Sequence, residues 1–239
     1  MVELPFGRPS LPSLPLSFAR GAFLYAGLLF LSGIPAAFVS PFVGGPLMLG
    51  SLGVLYFYRD PSRATPASGI VAPSDGTVAS VGWEDDRIRL GIYLGVRDVH
   101  VIRAPFGGRI RAVDRESGGH WPAPLARSEH NEAVHVRFDG AEVTMRVGWF
   151  ARRITPYVAG GQRVRRGARL GHIAFGSRTE VLLPAGIEPV DLNVEPGERL
   201  RAGETVIVEA DAYDREVRER SSLSMARDPD GESGDPPSR

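Results

Sequence analysis

The 239-residue chain contains no cysteine. That excludes disulfides, thiolate metal sites and a cysteine nucleophile, and it leaves the redox compartment unread. It contains no lysine either, so all 28 residues in the Lys+Arg count are arginine. A chain without lysine cannot form the internal Schiff base on which pyridoxal enzymes depend. Net charge is zero, 28 acidic residues balancing 28 basic ones, and nothing marks a nucleic-acid surface. Charge is absent altogether between Gly21 and Tyr58.

That uncharged run of 38 residues would span about 57 Å as one helix, against a hydrocarbon core of about 30 Å. Ser40-Pro41 and Gly44-Gly45-Pro46 break it. The pattern predicts a membrane hairpin, one helix over Phe18–Val39 and a second over Phe42–Tyr58. Arg8 and Arg20 flank one end, Arg59 and Arg63 the other. The positive-inside rule therefore puts both ends on the cytoplasmic face of the cell membrane. The second segment is short enough that a spanning and a re-entrant hairpin both fit. A cleaved signal peptide fits poorly, because the apolar stretch is too long and an arginine-rich region follows at once.

Four segments follow: a membrane anchor over 1–58, a linker over 59–69, a β-rich domain over 70–212 and a disordered polar tail over 213–239. Within the third, Arg87–Leu94, Ala133–Phe138 and Glu142–Val147 alternate at period two, and Asp139-Gly140 signals a hairpin turn. Two frames repeat. A-P-x-x-G-x-[VI]-x-x-V occurs at Ala72–Val81 and Ala104–Val113; G-x-R-[VL]-R-x-G-x-x-[LV] occurs at Gly161–Leu170 and Gly197–Val206. Paired frames predict a mostly β fold, a barrel-like sandwich of two similar halves like those of lipoyl and biotinyl domains. With no lysine to modify, a carrier role is excluded.

Gly176-Ser177 follows a strand-like run. It is no nucleophile elbow, since Phe175 and Thr179 stand where G-x-S-x-G needs glycine. Asp75, in a turn, and His100 would complete an acid, an imidazole and a hydroxyl. The remaining histidines, His120, His130, His135 and His172, include no H-x-H pair, and no metal is expected. Arg152-Arg153 and Arg163, Arg165 and Arg166 form basic clusters, which read either as a solvated face or as attraction to anionic headgroups.

Taken in order, Tyr56–Pro61, Ala72–Gly76, Asp98–Pro105, Asn131-Glu132 and Phe175-Gly176-Ser177-Arg178 resemble the successive motifs of phosphatidylserine decarboxylase proenzymes in their short form. The resemblance covers roughly residues 55–210. It departs from the longer branch, D-x-H-x-x-H and L-G-S-T, by carrying Arg103 at the second histidine position and Phe-Gly-Ser-Arg at the cleavage motif. The second histidine's role therefore has no counterpart here.

The resemblance implies cleavage between Gly176 and Ser177 into β and α chains. It implies a pyruvoyl group made from Ser177, with His100 as proton carrier oriented by Asp75. Phosphatidylserine, or its ether analogue archaetidylserine, would be the substrate, and Arg178 and Arg103 are candidates for binding it. Homo-oligomerisation stays open. The competing readings are a membrane-tethered β-sandwich adaptor without catalysis and a membrane-bound peptidase.

Overall fold

The repeated frames turn out to be the plan of the fold. The computed structural model describes residues 16–121, 130–148, 153–174 and 177–212. The expected polar tail over 213–239, and Phe175, Gly176 and Arg152, lie outside the described residues.

The chain divides into two units, Met1–Ser62 and Arg63–Arg239. The described part of the first holds β1 (Leu16–Phe18), α1 (Ala22–Val39), α2 (Pro41–Phe57) and β2 (Arg59–Pro61). The expected hairpin is present, with helix bounds trimmed by a few residues. Only α1 is long and apolar enough to cross a membrane by length and composition; α2 is shorter. The first residues of the expected linker form β2, which pairs antiparallel with β1 and closes the base of the hairpin.

The second unit is mostly β. It runs β3 (Ile70–Val71), β4 (Gly76–Glu84), β5 (Arg87–Leu94), β6 (Val101–Arg103), β7 (Gly108–Glu116), β8 (Ala133–Phe138), β9 (Glu142–Val147), β10 (Ile154–Pro156) and β11 (Arg163–Val164). It continues with β12 (Arg169–Ile173), β13 (Ser177–Leu182), β14 (Arg199–Leu200) and β15 (Val206–Val208). The three period-two segments became β5, β8 and β9 at the expected bounds, and the Asp139-Gly140 turn joins the last two.

Eight strands form one curled half-barrel sheet in the order β11-β7-β8-β9-β13-β5-β4-β14. That order is symmetric about the β9–β13 boundary. The first frame opens β4 in one half and β7 in the other, and both strands bulge at the equivalent place, Val78/Ser80 and Ile110/Ala112. The second frame supplies the edges: Arg199 and Leu200 pair with Thr77 and Gly76, as Arg163 and Val164 pair with Arg109 and Gly108. Gly203 N–H donates to Ala72 O and Gly167 N–H to Ala104 O, each at 2.8 Å. These two glycines have φ of +73° and +74°, the left-handed region in which a side chain is strained. Copies of the second frame thus do not pair with each other; each caps a copy of the first, at opposite edges of the sheet.

Ile88, Leu90, Ile92 and Leu94 on β5, Val143, Met145 and Val147 on β9, and Val181 on β13 fill a common core with Ile70, Ile102, Leu170 and Ile173. Alternation dictates the other face, which carries Arg89, Arg146, Arg178 and Glu180. Linker residues 63–66 are tied to this unit. Arg63 pairs with Asp75 and Glu204, Ala64 N–H donates to Glu204, and Arg166 donates to Pro66 O.

Candidate active site

Ser177 heads β13, the strand flanked by β5 and β9, and its register neighbours are Leu94 and Val147. Its face of the strand is the core face, shared with Thr179 and Val181. Ser177 is fully buried, and its hydroxyl has no hydrogen-bond partner among the described residues; Ser74 and Thr179 share that condition. A buried hydroxyl left unpaired costs free energy.

His100 immediately precedes β6 and is buried. Its carbonyl accepts the Ile173 N–H at 3.1 Å, which sets it beside the end of β12, four residues before Ser177. Its Nδ1 lies 2.9 Å from the backbone carbonyl oxygen of Asp98. A carbonyl can only accept, so Nδ1 carries the proton and Nε2 presents the lone pair. Asp98 is itself buried. It closes the Gly95–Asp98 turn from both sides, donating its N–H to Gly95 O at 2.9 Å and accepting the Gly95 N–H on Oδ2 at 2.8 Å. Its Oδ1 pairs with Arg199 at 2.6 Å.

Asp75 lies at the same end of the sheet. Thr77, Tyr93 and Arg178 share one register row across β4, β5 and β13. The Asp75-Gly76 turn and Ser177 are therefore two strands apart, about 10 Å at the usual strand spacing. The Asp75 carboxylate takes both nitrogen-to-oxygen contacts of 2.8 and 2.9 Å from Arg63, and Oδ1 also accepts the Ala202 N–H at 2.8 Å. The imidazole-orienting contact at Nδ1 thus comes from Asp98, and the Asp75 charge is held by Arg63.

Of the two candidate substrate arginines, Arg178 lies on the face of β13 opposite Ser177. It pairs with Glu180 at 3.0 Å and donates to Ser80 at 3.0 Å. It crosses β5 over Gly91, where a Cβ would stand 2.5 Å from Ser80 Oγ and 2.8 Å from Arg178 Nη2. Glu180 also meets Arg89 at 3.1 Å and Arg146 at 3.8 Å. Arg103 is buried and donates to Gly167 O at 3.0 Å.

Asn131, quoted above only as part of a motif, has its carboxamide clamped on backbone. It accepts Trp121 N–H, and donates to Trp121 O at 2.7 Å and to Val147 O at 2.9 Å. Val147 is the register partner of Ser177, so Asn131 braces the strand end beside it. Asp98 and Asn131 had no role assigned from sequence, and Arg63 only that of flanking the hairpin. Their only signal was proximity to Asp75, His100 and the ordered motifs. Among the basic clusters, Arg153, Arg163 and Arg165 are exposed, while Arg166 is half-buried. Among the described residues, no three His, Asp or Glu side chains form a metal-holding group.

The curled sheet of two similar halves thus carries a buried serine at the head of a central strand, with His100 and the Arg63-held Asp75 towards the same end. Residues 52–208 match the family described as phosphatidylserine decarboxylase, and the chain belongs to that family. A Halobacterium salinarum protein bearing the name archaetidylserine decarboxylase proenzyme is 47% identical over 155 residues, covering 64% of this chain and 79% of the relative. The phosphatidylserine decarboxylase proenzyme of Streptomyces coelicolor is 41% identical over 170 residues, 69% of this chain and 77% of its own. That of Thermobifida fusca is 43% identical over 166 residues, 67% and 75%.

Proposed function

We propose that the chain is a membrane-associated, self-cleaving proenzyme that decarboxylates phosphatidylserine or archaetidylserine to the corresponding ethanolamine lipid and carbon dioxide. The observation that carries this reading is the buried Ser177 hydroxyl at the head of β13, without a hydrogen-bond partner among the described residues, in a chain of this family.

Cleavage needs little machinery. The Ser177 Oγ attacks the Gly176 carbonyl carbon, and the new C–O bond replaces the Gly176–Ser177 C–N bond. His100 Nε2 takes the hydroxyl proton and passes it to the departing amide nitrogen. The family resemblance adds Asp75, whose carboxylate Arg63 holds, as the acidic member of the set. Loss of the Ser177 Cα proton then expels the Gly176 carboxylate from Cβ and leaves dehydroalanine. Uptake of water and release of ammonia convert it to a pyruvoyl group at the head of the α chain.

The residues present suit that group. Its carbons come from Ser177, a buried residue whose register neighbours are Leu94 and Val147. The ketone supplies the electron sink that decarboxylation of an amino acid headgroup requires. His100 Nε2 then returns a proton to the substrate carbon. The α chain stays in place because β13, β14 and β15 pair with β5, β9, β4 and β3, all from the β chain. The uncharged hairpin supports attachment to the cell membrane, with the catalytic unit on the cytoplasmic side.

The test is the intact mass of purified protein. Two fragments, residues 1–176 and 177–239, the smaller blocked at its N-terminus, support the reading. A single active uncut chain overturns it.

A further inference from the structure

The hairpin is inside-out for water. Its large apolar residues face outward, and the tip is the most exposed part: Phe38 is 90%, Val39 89% and Phe42 90% accessible. The contact between its helices is made largely by small residues. Gly44 sits so close to Ala37 that a Cβ would fall on the Ala37 backbone, and a Cβ on Gly33 would stand 2.6 Å from Met48 Cγ. Small residues at a helix contact with apolar side chains outside is how helices pack in lipid.

The tip is built to do without water. Ser40 serves both helices, ending α1 and preceding α2. Its N–H donates to Ala36 O at 2.8 Å, and its carbonyl accepts the N–H groups of Val43 and Gly44, each at 3.0 Å. Of the amide donors a helix start leaves unpaired, Pro41 has none to leave, and Ser40 takes those of Val43 and Gly44. Backbone groups at membrane depth must be satisfied internally, and this turn does so for Val43 N–H, Gly44 N–H and Ala36 O within itself.

The base is the opposite. There Ala19 N–H donates to Tyr58 O at 2.8 Å, Ser17 donates to Asp60 O at 2.7 Å, and the Arg59 guanidinium lies 4.0 Å from the Tyr56 ring centroid. The Tyr25 and Tyr58 rings pack nearby. Tyrosine and arginine are residues that sit at a membrane interface. None of either occurs from Ala26 to Leu55. α1, at 18 residues, is just long enough to cross, but α2, at 17 residues, reaches about 26 Å at 1.5 Å per residue, short of a core of about 30 Å.

We propose that α1 and α2 enter the bilayer from one side and end within it, the Phe38–Val43 tip lying among acyl chains without reaching the far interface. This rests on the membrane attachment proposed above and decides between its spanning and re-entrant forms.

The absence of native cysteine makes the test clean. The full chain carrying Ser40→Cys at the tip, or Val190→Cys at an exposed site of the β unit, is reconstituted in phosphatidylcholine–phosphatidylglycerol vesicles. A membrane-impermeant maleimide is supplied outside or trapped inside. The thiol of the Val190→Cys variant should react with the reagent on its own side. The tip thiol of the Ser40→Cys variant should react with neither until detergent is added. A nitrobenzoxadiazole probe attached to that tip thiol in detergent, before reconstitution, should be quenched more by deep acyl-chain spin labels than by headgroup labels. Labelling of the tip by reagent on the side opposite the β unit means that the hairpin spans, and labelling on the same side means that it lies on the surface. Either overturns the proposal while leaving attachment intact. Failure of the protein to float with vesicles removes attachment itself, and the proposal with it.

Discussion

The Nδ1 of His100 is held 2.9 Å from the Asp98 carbonyl oxygen, and Asp98 is in turn gripped by Arg199, 101 residues along the chain. Asp98 and His100 lie before the proposed cut, Arg199 after it. The fragment released by cleavage would therefore still hold the turn that orients the histidine. Replacing Asp98 by alanine removes the acceptor for Gly95 N–H and for Arg199, and the carbonyl loses its aim. We expect chain cleavage to slow by roughly 100-fold, the cost of misplacing a catalytic group by about 1 Å. Asp98→Asn keeps one acceptor oxygen but turns an NH2 towards either Gly95 N–H or Arg199, so its rate should fall between those of wild type and Asp98→Ala. A gel time course of fragment appearance reads both.

Ser177→Ala should remain one full-length chain without decarboxylase activity. Because the lost hydroxyl makes no hydrogen bond among the described residues, thermal stability should stay level or rise slightly. A split product from this variant would rule out Ser177 as the attacking group.

Arg63 and Asp75 form a nearly buried pair, with side-chain exposures of 7% and 13%. Removing Arg63 alone strands a carboxylate and should cost about 3–5 kcal/mol. The double replacement by leucines should regain much of that in denaturant melts, yet should not cleave if Asp75 acts chemically. A double variant that cleaves normally would reduce Asp75 to a structural partner.

Gly91→Ala places a methyl group where Ser80 and the Arg178 guanidinium meet. Destabilisation of about 1–3 kcal/mol is expected from such overpacking. Cleavage should proceed, because this is the face of the sheet away from Ser177. Melting temperature and fragment ratio together check it.

His135 bonds Glu142 at 2.8 Å and Glu116 at 3.0 Å, and its Nδ1 lies 3.1 Å from the Thr144 hydroxyl. The Glu142 hydrogen bond raises the His135 pKa above its usual value, with Glu116 adding to it against the opposing effect of burial. Glu142, bonded by His135 first and by Arg137 and Thr144 as well, is brought down to about 2. The histidine's contribution is complete below about pH 6.5 and fades as pH rises through its raised folded value. The glutamate's contribution is complete above about pH 4.5 and fades as pH falls towards 2. The wild-type melting temperature should therefore drop on the alkaline side, and His135→Gln should flatten that limb.

Several features were legible early because their physics is local. Period-two alternation marked β5, β8 and β9, since a strand with one core face must alternate. Asp139-Gly140 marked its turn, since glycine accepts the left-handed backbone, here at a φ of +76° for Gly140. The repeated frames marked two similar halves, although not which frame pairs with which. The face of Arg178 was readable in principle from parity, since it stands one residue from Ser177 on a strand. Parity applies only where both residues lie on the strand, and it is the β13 pairing with β5 and β9 that puts them there.

By itself, the sequence determined a lysine-free, cysteine-free chain with an uncharged hairpin, a two-fold β plan and a serine, a histidine and an aspartate in the order the family uses. These follow from composition and from spacings of a few residues. Only the tertiary structure decided which group orients His100, what holds Asp75, and that the Ser177 hydroxyl lies buried and unpartnered among the described residues. Those outcomes depend on segments about 100 residues apart meeting at one end of a sheet, and strand register, which no local spacing encodes, sets that meeting.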